Sequence, residues 1–350
     1  MRGRIAVSFL GMLAAAGVVL FCAFGCGDKP TEPRSGEPRN YPVYTRGASG
    51  VYSMFVFYPE TRLLDTIDDP YLKAEGLTVS ADGRLIYLAF RDSVVVLDTD
   101  SLGIQAVLPF GAAAGVAVSP DNRLIAFQGF GLAILRTTDY SLVYTDTDWV
   151  EDGVFSADSR TFYGVGGSEY DGIGYVYKVC GLPSSPHVTR KRLPGTSIYF
   201  IIPTPDESKL LAHQRYFFQV YDARTDSILF EDAYWPGVGY LAMTPNGRLA
   251  FYTNPSTPWW EKGTTHVTVF DIEANRILTT MGTDAFLDTL EPLTFGVGRM
   301  VVTPDMRWLV AQYGPAAHQL LLFDLRTMEM VYFHAFHGHG MINTTVQLRR

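Results

Sequence analysis

The 350 residues carry 36 acidic against 28 basic side chains, a formal charge of −8. An acidic body of this kind speaks against nucleic acid and against an anionic lipid surface as partners. Three cysteines cannot supply the disulfide framework of a small secreted scaffold, so the fold must rest on a large apolar core.

The chain opens with Arg2 and Arg4, an apolar stretch over residues 5–24, and then Gly25-Cys26-Gly27-Asp28. A polar segment, residues 29–40, follows with Pro30, Pro33 and Pro38. A basic start, an apolar centre and a small residue before a break read as an export signal over residues 1–25. Gly before Cys, with a proline-rich tether behind, resembles a bacterial lipoprotein processing site, which implies lipidation of Cys26. Ala23 and Phe24 depart from that motif, which favours a Leu-like and then a small residue. Ordinary cleavage after Gly25, or a retained anchor, therefore stays open, the apolar run being just long enough to span. Cleavage before Cys26 would remove Cys22, lipidation would consume Cys26, and Cys180 would be left alone, read as a small buried apolar residue. Residues 26–40 are then a tether and residues 41–350 the folded body.

Within that body one short phrase recurs six times: Ser or Thr, a small residue or Pro, Asp or Asn, then a basic residue and an apolar run. The copies are Ser80-Ala81-Asp82-Gly83-Arg84, Ser119-Pro120-Asp121-Asn122-Arg123, Ser156-Ala157-Asp158-Ser159-Arg160, Thr204-Pro205-Asp206-Glu207-Ser208-Lys209, Thr244-Pro245-Asn246-Gly247-Arg248 and Thr303-Pro304-Asp305-Met306-Arg307. Their spacings are 39, 37, 48, 40 and 59 residues. Apolar runs flank most of them, so each predicts a tight β-hairpin whose Asp residues form the turn. A third run ending in Asp follows, as in Val94-Val95-Val96-Leu97-Asp98 and Leu321-Leu322-Phe323-Asp324. After a polar turn comes a fourth run, such as residues 105–108, 227–230 and 330–333. The surplus length of the third and fifth repeats is assigned to loop insertions over residues 181–194, 254–265 and 282–298.

Four short strands per repeat is the content of one propeller blade. Residues 41–45, 51–58 and 62–67 read as three strands of a blade without its phrase, and residues 340–348 as one more strand after the sixth repeat. Together they predict a seventh blade closed by both chain ends, which removes the edges a linear array would expose. No helical period is sustained beyond Pro38, so the predicted class is all-β, a seven-bladed propeller of four-stranded antiparallel blades. The phrase and the Val-x-Val-x-Asp run resemble the YVTN-type repeat of bacterial seven-bladed propellers, relatives of WD-repeat and quinoprotein-dehydrogenase-like propellers. The resemblance covers residues 41–350 and implies a fold, not a job, because propellers host binding, scaffolding and catalysis alike.

Catalytic signatures are absent: there is no Cys-x-x-Cys-His, no Gly-x-Ser-x-Gly, no His-Glu-x-x-His and no phosphate loop. No catalytic residue and no cofactor is assigned. Loops entering each first strand, and loops joining the second and third, are expected at the channel mouth. They hold Trp149, Glu151, Asp152, Tyr199, Trp235 and Tyr240, and an insertion bounded by Pro255 and Pro258 holds Trp259 and Trp260. Aromatics among acids suit a sugar, a peptide or a cationic group, against the plain alternative of packing between blades. His337 and His339, next to His334, would project to one side of an extended chain and are the candidate metal ligands.

The expectation is a monomeric, non-enzymatic propeller of the cell envelope. It would be held to a membrane only by the lipid on Cys26, facing periplasm or exterior, and would present one face to an envelope protein, peptide or glycan. A propeller enzyme of the lactonase or quinoprotein-like kind is the alternative, and requires acids or histidines to meet around a pocket. A purely structural subunit would instead show a flat apolar face.

Overall fold

All six phrases close in the same way. The Ser or Thr hydroxyl accepts the N–H five residues on, from Leu85, Leu124, Thr161, Lys209, Leu249 and Trp308, at 2.9–3.0 Å. In five copies the same hydroxyl donates to the Asp carboxylate at 2.6–2.7 Å. The fourth residue takes a positive φ in every copy: Gly83, Asn122, Ser159, Glu207, Gly247 and Met306. Glycine meets that requirement without steric cost, and in the other four copies the hydroxyl and carboxylate bonds hold the turn. The Asp residues are therefore turn formers, as the sequence indicates.

The end of each third strand is tied back to the phrase. The N–H groups of Thr99, Thr137, Leu182, Ala223, Ile272 and Leu325 donate to the carbonyls of Arg84, Arg123, Arg160, Ser208, Arg248 and Arg307 at 2.8–3.1 Å. The Asp98 and Asp222 carboxylates cap the following turns by accepting the next backbone N–H groups.

The computed structural model describes residues 41–46, 53–68, 74, 76–90, 92–110, 113–168, 173–193, 198–214, 216–233, 240–255, 265–282, 297–313, 319–335 and 347–348. Cys26, Trp235, Trp259, Trp260, His337 and His339 lie outside them. Six four-stranded antiparallel blades follow one another: blade 1 over residues 76–109, blade 2 over 113–146, blade 3 over 152–192, blade 4 over 198–233, blade 5 over 241–282 and blade 6 over 297–335. The first strands of successive blades lie side by side from blade 1 to blade 6, and the apolar faces of neighbouring sheets close on each other. Tyr87, Val94 and Val96 of blade 1, for example, share one buried cluster with Ile125, Phe127 and Ala133 of blade 2.

A further four-stranded sheet draws on both ends of the described chain. Its order is Gln347–Leu348, Val43–Arg46, Ser53–Tyr58, Leu63–Asp68, with Val43 opposite Leu348 and Tyr44 opposite Gln347. Val56 packs with Leu77, Val79 and Ile86 of blade 1. Val43, Phe55 and Phe57 pack with Trp308, Val310, Leu320 and Leu322 of blade 6. Arg307 donates to both Glu60 oxygens at 2.7 Å, Trp308 Nε1 donates to Glu60 Oε1 at 2.9 Å, and the Arg307 guanidinium lies 4.5 Å from the Trp308 ring centroid.

One element differs from the sequence expectation. Residues 181–194 are not all insertion, because His187–Arg192 forms the outer strand of blade 3. An outer strand needs backbone partners on one side only and faces water, so its charged sequence gives no apolar signal. Cys180 ends the neighbouring strand Ile173–Cys180, half-buried and free.

Polar groups also link blades. Tyr163 of blade 3 donates to Glu207 of blade 4 at 2.6 Å, and Tyr252 of blade 5 donates to Asp232 of blade 4 at 2.7 Å. His213 of blade 4 is fully buried, with Nε2 3.4 Å from the Thr253 carbonyl of blade 5. Burial lowers its pKa from 6.5 to about 3, against a smaller opposing effect of the Thr253 carbonyl. The folded protein thus holds this imidazole neutral while the unfolded chain protonates it below pH 6.5. Its contribution to stability is present above pH 6.5 and lost as pH falls towards 3, by up to about 1.4 kcal/mol per pH unit. The expected result is that His213→Gln flattens the fall in unfolding free energy between pH 7 and 5. Urea titrations giving equal falls for variant and wild type would contradict it.

Candidate functional site

Phe130 caps the hairpin between Leu124–Gly129 and Leu132–Arg136 in blade 2. Trp149 sits in the connection from blade 2 to the first strand of blade 3, Asp152–Phe155. Their rings meet edge to face, with centroids 4.5 Å apart and planes at 86°. Hairpin tips and interblade connections therefore share one face here, as expected. Phe130 is 71% exposed and Trp149 39% exposed, so the pair faces water instead of filling a seam. Edge-to-face contact is a favoured arrangement of two aromatic quadrupoles.

The loop under Trp149 is fixed at several points. Val150 is buried in the cluster between blades 2 and 3. Its N–H donates to Gly129 O at 3.1 Å, and the Glu151 N–H donates to Val165 O at 2.8 Å. Gly166 lies so close beneath the loop that a Cβ there would run into the Trp149 carbonyl oxygen. Gly166→Ala should therefore displace the loop and cost about 1–3 kcal/mol, as overpacking does. A near-ultraviolet spectrum and a melting curve unchanged by the substitution would contradict this seating.

Behind the pair stands a charged clamp. Arg190, on the outer strand of blade 3, reaches Asp146 at 2.9 Å and Asp148 at 2.6 Å, and lies 5.6 Å from the Tyr177 ring centroid. Tyr144 donates to Asp146 at 2.8 Å, and the Asp148 N–H donates to Asp146 at 3.2 Å. Burial pushes the Asp146 carboxyl up, but these donors and the Arg190 charge outweigh it and hold its pKa below the ordinary value. Burial first, then the bond to Asp146, pushes the Tyr144 phenol up to about 12. Asp146 thus stays ionised, and together with Asp148 it ties the turn before Trp149 to Arg190.

Of the residues singled out from the sequence, Trp149, Glu151 and Asp152 lie in one short segment that runs from the rim into the first strand of blade 3. Glu151 and Asp152 are half-buried. Tyr199 is half-buried at the irregular start of Ile198–Pro203. Tyr240 stacks obliquely on Phe200 at 4.9 Å and packs against the core shared by blades 5 and 6, which is the interblade packing role. His334 is half-buried on Glu329–Ala335. Among the described residues no group of three or more His, Cys, Asp or Glu side chains could hold a metal ion. Sequence reasoning missed Phe130. The available signal was a single large apolar residue flanked by Gly129 and Gly131.

No protein-family model matches the chain, and no curated protein does. Solved structures do. A functionally unknown protein from Desulfotomaculum acetoxidans aligns with TM-score 0.64 at 12% identity, over 87% of this chain and 99% of that one. A putative 6-phosphogluconolactonase from Bacteroides fragilis aligns with TM-score 0.64 at 11% identity, over 90% and 99%. The β-propeller domain of Myceliophteria thermophila Cps50 (Swd1) gives 0.61 at 13%, over 77% and 88%. The chain is an all-β propeller. At these identities the likeness concerns the fold alone, and the propeller's function must be argued from its own residues.

Proposed function

We propose that this propeller is an exported, lipid-anchored, non-enzymatic binding protein that offers the Phe130–Trp149 face to a protein, peptide or glycan partner. The observation that carries the reading is the exposed aromatic pair, seated by interblade hydrogen bonds and by the Arg190 clamp. A soluble domain that holds two large rings in water at a fixed angle keeps contact area ready at little entropic cost, the makeup of a binding hot spot. Glu151 and Asp152 extend the face inwards. The same reading keeps Tyr199, Trp235, Trp259 and Trp260 as further residues for the partner. The sheet formed by both chain ends serves as a seventh blade, a role supported by its packing against blades 1 and 6.

The enzyme reading finds less support. Asp146 and Asp148 are committed to Arg190, and the likeness to a putative lactonase extends to the fold only. The test is affinity capture from the organism's own envelope extract, with mass spectrometry for proteins and small molecules. Phe130→Ala with Trp149→Ala should lose the captured partner while keeping the melting temperature. Lipidation is tested separately: labelled palmitate should enter the wild type and not Cys26→Ser. An unlabelled wild type cleaved after Gly25 would reject the anchor.

A further inference from the structure

At the opposite end of the strands from the Phe130–Trp149 rim, a cavity of about 280 Å³ opens in the seam between blades 5 and 6. Leu249 and Leu278 of blade 5 and Met306 and Leu325 of blade 6 form its apolar wall, and Thr244, Asn246 and Arg248 of the blade 5 phrase form its polar edge. Leu278 is 44% exposed and Met306 40% exposed, so this wall meets water. The neighbouring seam shows what makes the space. Lys209 holds in the blade 4 phrase the place of Leu249, and its ammonium crosses to the Ile272 carbonyl and to Asn275 Oδ1 of blade 5. Ile272 and Leu325 are equivalent, each donating its N–H to the carbonyl of its own phrase arginine. Leu249 is too short and too apolar to make that crossing, and the space before Leu325 remains a cavity.

The polar edge offers donors. This is the one phrase of the six with Asn in place of Asp. In the other two Thr copies the hydroxyl donates to Asp at 2.6 Å, whereas Thr244 is left with the Leu249 carbonyl at 3.2 Å. Asn246 commits its Oδ1 to the Arg248 N–H, which leaves its Nδ2 as a donor. Arg248 carries the only charge among the lining residues, and among the described residues no acid pairs with it. The carboxylates next to the cavity in sequence have partners of their own: Asp305 accepts the Thr303 hydroxyl and the Arg307 N–H, and Asp324 is held by Arg326. A guanidinium fork beside an apolar wall matches one carboxylate on an aliphatic body.

We propose that this cavity binds a small aliphatic carboxylate, with its carboxylate on Arg248 and Asn246 and its chain along Leu249, Leu278, Met306 and Leu325. The volume stands at the low end of ligand pockets, which run from about 300 to 1,000 Å³, so the occupant is a small molecule. The site is separate from the rim face, and either can fail without the other.

The test is isothermal titration calorimetry of the processed chain with octanoate, octanol and octylammonium at physiological ionic strength. Octanoate should bind about tenfold or more tighter than octanol, the scale of a hydrogen bond to a charged group, and octylammonium should not bind. Asn246→Asp restores the carboxylate that the other five phrases carry, so the turn survives while the negative charge returns, and octanoate should weaken about tenfold or more. Arg248→Gln should weaken octanoate to the level of octanol. Leu278→Trp fills the mouth from an exposed position and should abolish binding of both; Asn246→Asp serves if that variant folds poorly. Equal binding of octanoate and octanol, no binding of octanoate, tighter binding of octylammonium, or octanoate binding indifferent to both Asn246→Asp and Arg248→Gln would each overturn the assignment.

Discussion

Removal of residues 340–350 is expected to destabilise the whole domain, by on the order of 3 kcal/mol or more, the scale reserved for losses of a named structural element. Gln347–Leu348 is the neighbour of Val43–Arg46 on the side away from Ser53–Tyr58. Without it that strand becomes an open edge in a sheet whose Val43, Phe55 and Phe57 are buried against blade 6. This sheet packs on blade 1 as well as on blade 6, so loosening it loosens both seams. The same strand also lies against Gly76–Val79 of blade 1. Calorimetry should show a markedly lower melting temperature and exposed apolar surface. A truncated chain that melts like wild type would mean that the ring is closed some other way, or has only six blades.

Trp308→Ala should cost about 3–5 kcal/mol. The indole is 4% exposed in the seam between blade 6 and the terminal sheet. It fills that seam, donates to Glu60 and lies under the Arg307 guanidinium. Trp308→Phe keeps most of the ring but drops the donor, and should cost only about 1–2 kcal/mol. Urea titrations of the two variants would separate packing from the hydrogen bond. A loss below about 1 kcal/mol for Trp308→Ala would contradict the seam.

The hairpins were legible in the sequence because their chemistry is local. A hydroxyl, an Asp or Asn and a residue of positive φ lie within six positions; the hydroxyl accepts the same N–H in all six copies and donates to a carboxylate in five. The pairing of the two chain ends in one sheet was legible for a related reason, since an unpaired strand edge is costly. The outer strand His187–Arg192 was not legible, because its place is fixed by backbone pairing with Ile173–Cys180 and not by apolar side chains. Trp149, Glu151 and Asp152 could be placed on the rim from loop position alone. Phe130 could not be joined to Trp149, and Arg190 could not be joined to Asp146, 44 residues away, without the twist and spacing of neighbouring blades. The site is built across a blade seam, and seams are where periodicity along one chain is silent.

The most direct measurement is quantitative affinity capture from envelope extract by the processed wild type and by Phe130→Ala with Trp149→Ala, with the melting temperature of each recorded in the same buffer. The predicted result is at least tenfold lower recovery of the wild-type partner by the variant, corresponding to the roughly 1.4 kcal/mol or more that hot-spot aromatics supply, at a melting temperature close to wild type. Undiminished recovery, or a collapse in melting temperature showing that the two rings hold the blades together, would contradict a binding role for this face.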